Sequence, residues 1–177
     1  MTSNRDRTRR LILLRHAKSS WPDGVPDPER PLAERGIANA TAAGPILAGI
    51  GIPDVVLCSP ARRTRQTWEL IAPAFGDPPV PRFEPVIYGA DVPELLDLIR
   101  AVPEDAGNVL VIGHEPTLSS TASRLAGPGS NAEDLARLST KYPTGAAAVF
   151  GVPPAWTEVS AKSAVLEQFV VPQRTKQ

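Results

Sequence analysis

The chain has 177 residues, of which 42% are hydrophobic, enough for one globular domain with a sizeable core. The 19 basic and 19 acidic residues cancel, so charge gives no reason to expect nucleic acid or a membrane surface as a partner. One cysteine excludes a disulfide framework, and no apolar run approaches the roughly 18 residues of a membrane span. We expect a cytoplasmic protein, with a basic flexible leader over residues 1–10 and a single domain over residues 11–177.

The first half of the chain alternates short apolar runs with helical patterns. Residues 11–14 predict a strand, which Arg15 and His16 end. The rest of this half predicts a Pro/Asp/Gly loop over residues 23–31, a helix over 32–50 stopped by Gly51, a strand over 54–58, a helix over 62–74, and a loop with a short extended piece over 77–85. The 20 prolines cluster between these elements, which indicates rigid loops rather than disorder.

The second half continues the same alternation. It predicts a helix over residues 92–102, a strand over 108–112, a helix over 116–126, a break at 127–130, and two strands over 144–152 and 164–171. Strands that alternate with helices favour an α/β domain with a largely parallel sheet. The continuous apolar run Val109–Ile112 is typical of a strand that is buried on both faces.

Both histidines of the chain directly follow a predicted strand. His16 comes after Arg15, and His114 comes after Gly113, whereas the strand between them leads into a helix that carries Arg62 and Arg63. In open α/β sheets, ligands bind at the carboxyl ends of the strands. A lone histidine at such a point is more often a surface residue, but two in equivalent positions beside arginines indicate a functional site.

Imidazole and guanidinium groups together suit phosphoryl transfer. Arginine binds phosphate oxygens through a planar fork, and a neutral histidine is a nucleophile near neutral pH. The sequence contains neither a phosphate-binding loop that ends in Lys-Ser/Thr nor a Gly-x-Ser-x-Gly elbow. Two histidines could bind zinc, but the cationic neighbourhood opposes it, and the carboxylates of Asp23 and Glu115 form no recognisable metal cluster. We therefore expect no metal and no cofactor.

Three segments carry a resemblance to a known family. Arg15-His16-Ala17 resembles the Arg-His-Gly signature of the histidine phosphatase superfamily, which includes the cofactor-dependent phosphoglycerate mutases. Residues 58–67 (Cys-Ser-Pro-Ala-Arg-Arg-Thr-Arg-Gln-Thr) resemble its second motif, Ser-Pro-x-x-Arg-Ala-x-Gln-Thr, and residues 111–116 (Val-Ile-Gly-His-Glu-Pro) resemble its third.

The match extends over most of residues 11–126, in the family's order. Arg30-Pro31-Leu32 followed by Arg35-Gly36 resembles the segment that comes after the first motif. The short chain, without a large insertion, is similar to the small SixA-type branch of phosphohistidine phosphatases. The resemblance implies a three-layer α/β sandwich of the phosphoglycerate-mutase type, with helices on both faces of a mostly parallel sheet.

The resemblance also implies a role for four residues. His16 would be the nucleophile that becomes phosphohistidine, Arg15 and Arg63 would bind the phosphoryl oxygens, and His114 would be the second histidine of the pocket. One departure is Ala17, which replaces the usual glycine and is tolerable where φ is negative.

The second departure concerns the proton donor. The mutases have a glutamate three residues before an aromatic-Gly pair, and here Pro85 precedes Tyr88-Gly89 at that distance. Glu84, one residue away, is the candidate general acid if the loop is shifted. A phosphohistidine or an acidic leaving group needs less protonation, so this departure disfavours mutase chemistry.

Ser19 has both a functional and a structural interpretation, and two further residues have a structural one. Ser19 either donates to the substrate phosphate or caps a turn. Ser59 is expected to start its helix as an N-cap residue, and Cys58 to be a core residue.

Three functions fit these residues. The leading hypothesis is a metal-independent phosphatase that works through a phosphohistidine intermediate on His16, with a protein phosphohistidine as one substrate. The second is a phosphomutase or small-molecule phosphomonoesterase of the same fold. The third is a non-catalytic regulator that binds a phosphorylated ligand, which the presence of all four pocket residues disfavours. The partner is in each case a phosphorylated protein or small phosphomonoester.

Substitutions of Arg62 and Arg63 test the register of the second motif. Adjacent helical residues point about 100° apart, so only one of the two faces the strand ends, and the motif spacing selects Arg63. We expect Arg63→Ala to cost ~2–4 kcal/mol of transition-state stabilisation, which is about 30- to 1000-fold in kcat/KM. Arg62→Ala should cost less than about tenfold, and Arg63→Lys should recover only part, because lysine keeps the charge but loses the fork.

The measurement is kcat/KM on one phosphomonoester, with folding checked by circular dichroism. A crippled Arg62→Ala enzyme beside a near-normal Arg63→Ala enzyme would shift the register by one residue.

Overall fold

A computed structural model describes residues 9–172, which form one six-stranded sheet in the order β3-β2-β4-β1-β5-β6. The strands are β1 (Arg9–Arg15), β2 (Val55–Cys58), β3 (Arg82–Phe83), β4 (Asn108–Gly113), β5 (Ala147–Val152) and β6 (Val165–Val170). The first four strands run parallel, with β4 between β1 and β2. β5 and β6 pair antiparallel at the other side of β1.

Continuous apolar runs form the three central strands because both faces of the sheet are covered. Successive residues of β1 alternate between two cores: Leu11 and Leu13 face one side, and Ile12 and Leu14 face the other. The run Val109–Ile112 alternates in the same way. Cys58 belongs to one of these cores and is fully buried, as expected, and burial raises the pKa of its thiol to about 12.

Five α-helices cover the two faces. They are α1 (Glu34–Ile50), α2 (Arg62–Ile71), α3 (Val92–Arg100), α4 (Thr117–Leu125) and α5 (Ala132–Thr140). α1 and α2 pack together on one face, and α4 contacts both α3 and α5 on the other. The predicted three-layer α/β sandwich with a mostly parallel sheet is confirmed. No helix within residues 9–172 is long and apolar enough to cross a bilayer.

The sequence patterns did not predict α5. Its nine residues bury only Leu138, so the apolar stripe is too narrow to stand out as helical periodicity. A capping signal was present: Asn131 accepts a hydrogen bond from the backbone N–H of Asp134, and acidic residues occupy the first turn. A cap rather than periodicity was therefore the usable signal for this helix.

The first strand begins at Arg9, two residues before the predicted start of the domain. Arg10 pairs with Asn108 on one side and Gly151 on the other, which extends the ladder beyond the apolar run. The Arg9 side chain is buried and forms an ion pair with Glu104. Residues 1–8 of the predicted leader lie outside the described residues.

A glycine joins the loop after β1 to the start of α1. A Cβ on Gly36 would lie 2.1 Å from the carbonyl oxygen of Lys18, which also accepts a hydrogen bond from the N–H of Ala33 at 2.9 Å. The helix can thus approach this loop only because position 36 has no side chain. The contact fixes the backbone two residues after His16 against the first turn of α1.

We expect Gly36→Ala to lower the free energy of unfolding by about 1–3 kcal/mol, because the backbone must move to accept the methyl group. Gly49→Ala, in the same helix with open space around the new Cβ, is the matched control and should be neutral or stabilising by ~0.5 kcal/mol. Urea unfolding monitored by circular dichroism measures both. Equal stability of the two variants would contradict a tight contact at position 36.

Candidate active site

The sheet register brings both histidines to one point at the carboxyl edge. Arg15 pairs with Gly113 in the parallel β1–β4 ladder, so the next residues, His16 and His114, emerge side by side. The N–H of His16 donates to the carbonyl oxygen of Gly113 at 3.2 Å, and the two imidazole rings lie 5.4 Å apart between centroids. Ser59 emerges from the neighbouring β2, where its N–H donates to the carbonyl of Ile112.

The tautomer of His16 follows from one hydrogen bond. Nδ1 lies 2.7 Å from the carbonyl oxygen of Ala17, and a carbonyl can only accept, so Nδ1 carries the proton. The lone pair is therefore on Nε2. Ala17 is itself held, because its N–H donates to Thr67 Oγ1, and that hydroxyl donates to the carbonyl of Arg63. The ring that presents Nε2 is thus fixed by the backbone and by α2.

Burial keeps the His16 imidazole neutral. The residue is only 6% exposed, and this burial lowers its pKa to about 3. The hydrogen bond to Ala17 acts in the opposite direction, whereas His114, Arg63 and Arg15 lower the pKa further. At neutral pH the Nε2 lone pair is available for attack.

His114 is oriented by a hydroxyl. Its Nε2 lies 2.7 Å from Ser59 Oγ, which accepts from the N–H of Ala61. Nε2 is the one acceptor for the Ser59 hydroxyl hydrogen among the described contacts, so Ser59 donates and the ring proton sits on Nδ1. Burial, followed by the charge of Arg63, lowers the pKa of His114 to about 4.

Ser59 does not cap α2, contrary to the sequence prediction. Ala61 occupies the N-cap position, with no side-chain hydrogen bond there. The backbone turns between Cys58 and Arg62, so Ser59 stays at the sheet edge beside His114, and its carbonyl accepts from Thr64 Oγ1. Its contacts make it an orienting group for the second histidine, a role that the Ser-Pro pattern alone does not reveal.

Arg15 lies at the end of β1 with its guanidinium partly buried. Its Nη1 donates to the carbonyl of Tyr142 at 2.9 Å, and the Tyr142 hydroxyl donates to the carbonyl of Leu13 at 2.5 Å. Burial lowers the pKa of Arg15, and the nearby Glu115 carboxylate opposes that shift. A guanidinium remains charged under these conditions, so Arg15 supplies a fixed positive charge beside His16.

The first two arginines of α2 lie in different environments. Arg63 is 6% exposed and faces the site, whereas Arg62 is exposed to solvent. Arg63 donates through Nη1 to the carbonyl of Asp27 at 2.8 Å and through Nη2 to its carboxylate at 3.1 Å. Its charge acts on both histidines and on Arg15. Arg15, His16, Arg63 and His114 therefore form one cluster at the sheet edge.

Three buried nitrogen atoms of this cluster have no hydrogen-bond partner among residues 9–172. They are Nε of Arg15, Nε of Arg63 and Nδ1 of His114. Each buried donor left unpaired costs about 1–3 kcal/mol. A tetrahedral oxyanion offers several acceptor oxygens for such donors and balances the arginine charges. The charge and the free donors of the cluster suit a phosphoryl group beside Nε2 of His16.

The sequence did not predict the carboxylate at this site. Asp27 belongs to a short 3-10 helix, Asp27–Glu29, in the proline-rich loop after β1. It accepts from Arg63, from Arg30 and from the hydroxyl of Tyr88, whose ring packs edge-on against His114. A lone aspartate among prolines has no pattern that marks it, so only the folded loop reveals this contact.

Among the described hydrogen bonds, the two remaining candidates make none to the four clustered residues. The Ser19 hydroxyl accepts from Nη1 of Arg30 at 2.8 Å. Glu84 follows β3 and donates its N–H to the carbonyl of Cys58, but its carboxylate makes no hydrogen bond or ion pair within residues 9–172. A phosphate-binding role for Ser19 and an acid role for Glu84 stay predictions.

A cleft of about 430 Å³ opens beside His114. It is lined by the turn after β3 and by the start of α4, including Tyr88, Asp91, Glu115 and Thr117. The Glu115 carboxylate accepts from the N–H and the hydroxyl of Ser119, in the first turn of α4. No group of three or more His, Cys, Asp and Glu side chains within residues 9–172 is arranged to hold a metal ion.

Comparisons with known proteins agree with this geometry. The family model of the histidine phosphatase superfamily (branch 1) matches residues 11–84. The chain is 42% identical over 162 residues to the uncharacterized protein Rv1276c of Mycobacterium tuberculosis. The matched region covers 90% of this chain and 100% of that relative.

Two solved structures, each described as a putative phosphohistidine phosphatase SixA, are similar over nearly their full length. The structure from Nakamurella multipartitia is 36% identical to this chain, with a TM-score of 0.81, and the match covers 93% of this chain and 96% of that one. The structure from Agrobacterium tumefaciens is 30% identical to this chain, with a TM-score of 0.76, and the match covers 93% of this chain and 99% of that one.

The lowered pKa values of the two histidines predict an unusual titration. Neither imidazole should titrate between pH 5.5 and 8 in a nuclear magnetic resonance experiment, because the folded pKa values are about 3 and about 4. The chain has only two histidines, so the assignment is simple. An imidazole that titrates near the ordinary value of about 6.5 would contradict its burial at the site.

The same shifts make the folded state less stable in acid. Below pH 6.5 the unfolded chain takes up protons that the buried rings cannot, so stability falls as pH decreases towards about 4 and about 3. Each histidine contributes at most about 1.4 kcal/mol per pH unit in this window.

Proposed function

Since the chain belongs to the SixA-type branch of the histidine phosphatase superfamily and is therefore a phosphatase, we propose that it hydrolyses protein phosphohistidine without a metal, through a phosphohistidine intermediate on His16. One observation carries the proposal: a neutral histidine lies in one cluster with three buried donors that have no partner within residues 9–172. The predicted resemblance to this family and branch is confirmed by the comparisons.

The first step transfers the phosphoryl group to His16. The Nε2 lone pair attacks phosphorus while the Nε groups of Arg15 and Arg63 and Nδ1–H of His114 hold the oxygens. The P–N bond of the substrate breaks, its electron pair leaves with the substrate imidazole, and that nitrogen takes a proton from water. The Nδ1–H bond to the Ala17 carbonyl stabilises the positive charge that develops on the attacking ring.

The second step releases phosphate. A water molecule attacks phosphorus of phosphorylated His16, the P–Nε2 bond breaks, and its electron pair returns to Nε2. The proton lost by the water passes to the solvent or to the phosphate product. The same arginines stabilise both transition states, because the phosphoryl group stays between them throughout.

None of the described hydrogen bonds brings a protonated acid to His16, which favours a nitrogen leaving group. Asp27 is ionised, with a pKa of about 2 caused first by its hydrogen bond from Tyr88, and both histidines are neutral. The Glu84 carboxylate makes no hydrogen bond or ion pair within residues 9–172. An imidazole leaves without strong acid help, whereas an alkoxide does not.

The cations at the site support metal-independent chemistry. In other phosphoryl-transfer enzymes Mg²⁺ neutralises the charge on the transferred group. Here Arg15 and Arg63 take that role, and Arg30 balances the carboxylate of Asp27. The alternatives are a phosphomonoesterase or phosphomutase of the same fold, which would need a proton donor for an oxygen leaving group. The predicted cytoplasmic location stays a prediction.

The proposal is tested by turnover of His16→Ala in the presence of EDTA. Wild type should release phosphate from a phosphohistidine protein under these conditions and acquire acid-labile, base-stable radioactive phosphate. His16→Ala should lose both the label and turnover, while Arg62→Ala, exposed on α2, serves as the folded control.

Substrate comparison completes the test. We expect kcat/KM for the phosphohistidine protein to exceed that for phosphoserine in the same protein by about 100-fold, since general acid catalysis is worth that much to an oxygen leaving group. The reverse preference would favour the phosphomonoesterase. Transfer of the label to a hydroxyl acceptor would favour the mutase, and undiminished turnover by His16→Ala would exclude the mechanism.

A further inference from the structure

We propose that Asp27 is a positioning residue of the phosphatase reaction, which acts by holding the guanidinium of Arg63 against the phosphoryl group. The proposal rests on the proposed function, because Arg63 matters only if a phosphoryl group binds there. Asp27 does not belong to any of the three motifs, and it comes from a loop that follows the first of them.

Asp27 holds Arg63 through two different oxygen atoms. Its backbone carbonyl accepts from Nη1 at 2.8 Å, and its carboxylate Oδ2 accepts from Nη2 at 3.1 Å. Two acceptors on one residue determine both the position and the plane of the guanidinium. The third nitrogen of Arg63, Nε, is buried and unpartnered, so the edge that remains for substrate is the one that Asp27 leaves open.

The carboxylate does not cancel the positive charge of the site. Its Oδ1 accepts from Nε of Arg30 at 3.0 Å, so one aspartate is shared by two guanidinium groups. Arg30 is itself buried, held by Ser19 and by the carbonyl of Ser20, and lies 3.5 Å over the ring centroid of Trp21. Arg30 thus supplies the counter-charge of Asp27 and leaves the charge of Arg63 for the phosphoryl group.

Asp27 is also the point at which its loop is attached to the site. Within the described part of the chain, every hydrogen bond that joins residues 22–29 to another segment ends on Asp27; its partners are Arg30, Arg63 and Tyr88. The side chain is nevertheless 47% exposed. Burial of apolar surface therefore does not explain its position, and the ion pairs with the two arginines do.

The hydrogen bond from Tyr88 extends this attachment to the second histidine. Its hydroxyl donates to Asp27 Oδ2, and its ring lies 5.6 Å from that of His114 in an edge-on arrangement. Asp27 thus connects the loop after β1 to Arg63 on α2 and to the turn that packs on His114. A shift of about 1 Å in a catalytic group costs about 100-fold in rate, so the hold of Asp27 on Arg63 matters for turnover.

The experiment uses Asp27→Ala and Asp27→Asn, each alone and in the Arg63→Ala background. Alone, Asp27→Ala should lower kcat by about 10- to 100-fold with a smaller change in KM, because the arginine is misplaced in the transition state. Asp27→Asn keeps the carbonyl acceptors and should recover part of the loss. In the Arg63→Ala background, Asp27→Ala should have no further effect, since its target is gone.

Glu29→Ala is the matched control, an exposed acidic residue of the same 3-10 helix with no described hydrogen bond from its side chain. Its kcat/KM should stay within about twofold of wild type. Calorimetry with inorganic phosphate gives a readout apart from turnover. Phosphate should bind Asp27→Ala about as tightly as wild type, because Arg30 balances the Asp27 carboxylate in the wild type and the charge of Arg63 stays near the site.

Two outcomes would overturn the positioning role. A rise in kcat/KM for Asp27→Ala would make Asp27 a competitor of the substrate phosphoryl group. A loss that persists in the Arg63→Ala background, together with weaker phosphate binding, would mean that the loop has collapsed rather than that Arg63 has moved. A wild-type enzyme that hydrolyses no phosphorylated substrate would overturn the proposed function instead. The phosphatase activity of the wild type is therefore measured before that of any Asp27 variant.

Discussion

The parallel pairing of β1 and β2 on the two sides of β4 is the constraint on which the rest of the site depends. Each ladder adds one strand end to the same edge, so the backbone hydrogen bonds of the sheet place His16, Ser59 and His114 side by side. The strands themselves are held by apolar residues on both faces, which helices cover. A one-residue slip would reverse the faces of the slipped strand; in the β1–β4 ladder it would also separate the histidines, and in the β2–β4 ladder it would move Ser59 away from His114.

Burial and positive charge act together on the two imidazoles. Both rings are removed from water, and both lie close to Arg15 and Arg63, so their protonated forms are doubly disfavoured. In the proposed mechanism the same arginines bind the phosphoryl group. The charges that favour anion binding therefore also keep the His16 imidazole unprotonated, and the hydrogen bond from Nδ1 to the Ala17 carbonyl directs the lone pair to Nε2.

The loop after β1 completes this site with opposite charge. The Asp27 carboxylate lies between Arg30 and Arg63. Its Oδ1 accepts from Arg30, and its Oδ2 accepts from Arg63 and from the Tyr88 hydroxyl. Such a shared ion pair costs less than a buried one, because the carboxylate remains about half exposed to water. The position of Arg63 is thus determined by contacts with a loop whose short 3-10 helix buries none of its residues.

Sequence by itself determined the strands, four of the helices and the four clustered residues, because apolar runs, helical spacing and short motifs are local properties of the chain. His16, Arg15, Arg63 and His114 could each be named from the residues beside them. Only the tertiary structure decided which groups hold these side chains. Ser59 was expected to cap a helix but contacts His114, and Asp27 accepts a hydrogen bond from Arg63, 36 positions away in the sequence. Such partners are chosen by the packing of loops against helices, which leaves no periodic trace in the chain.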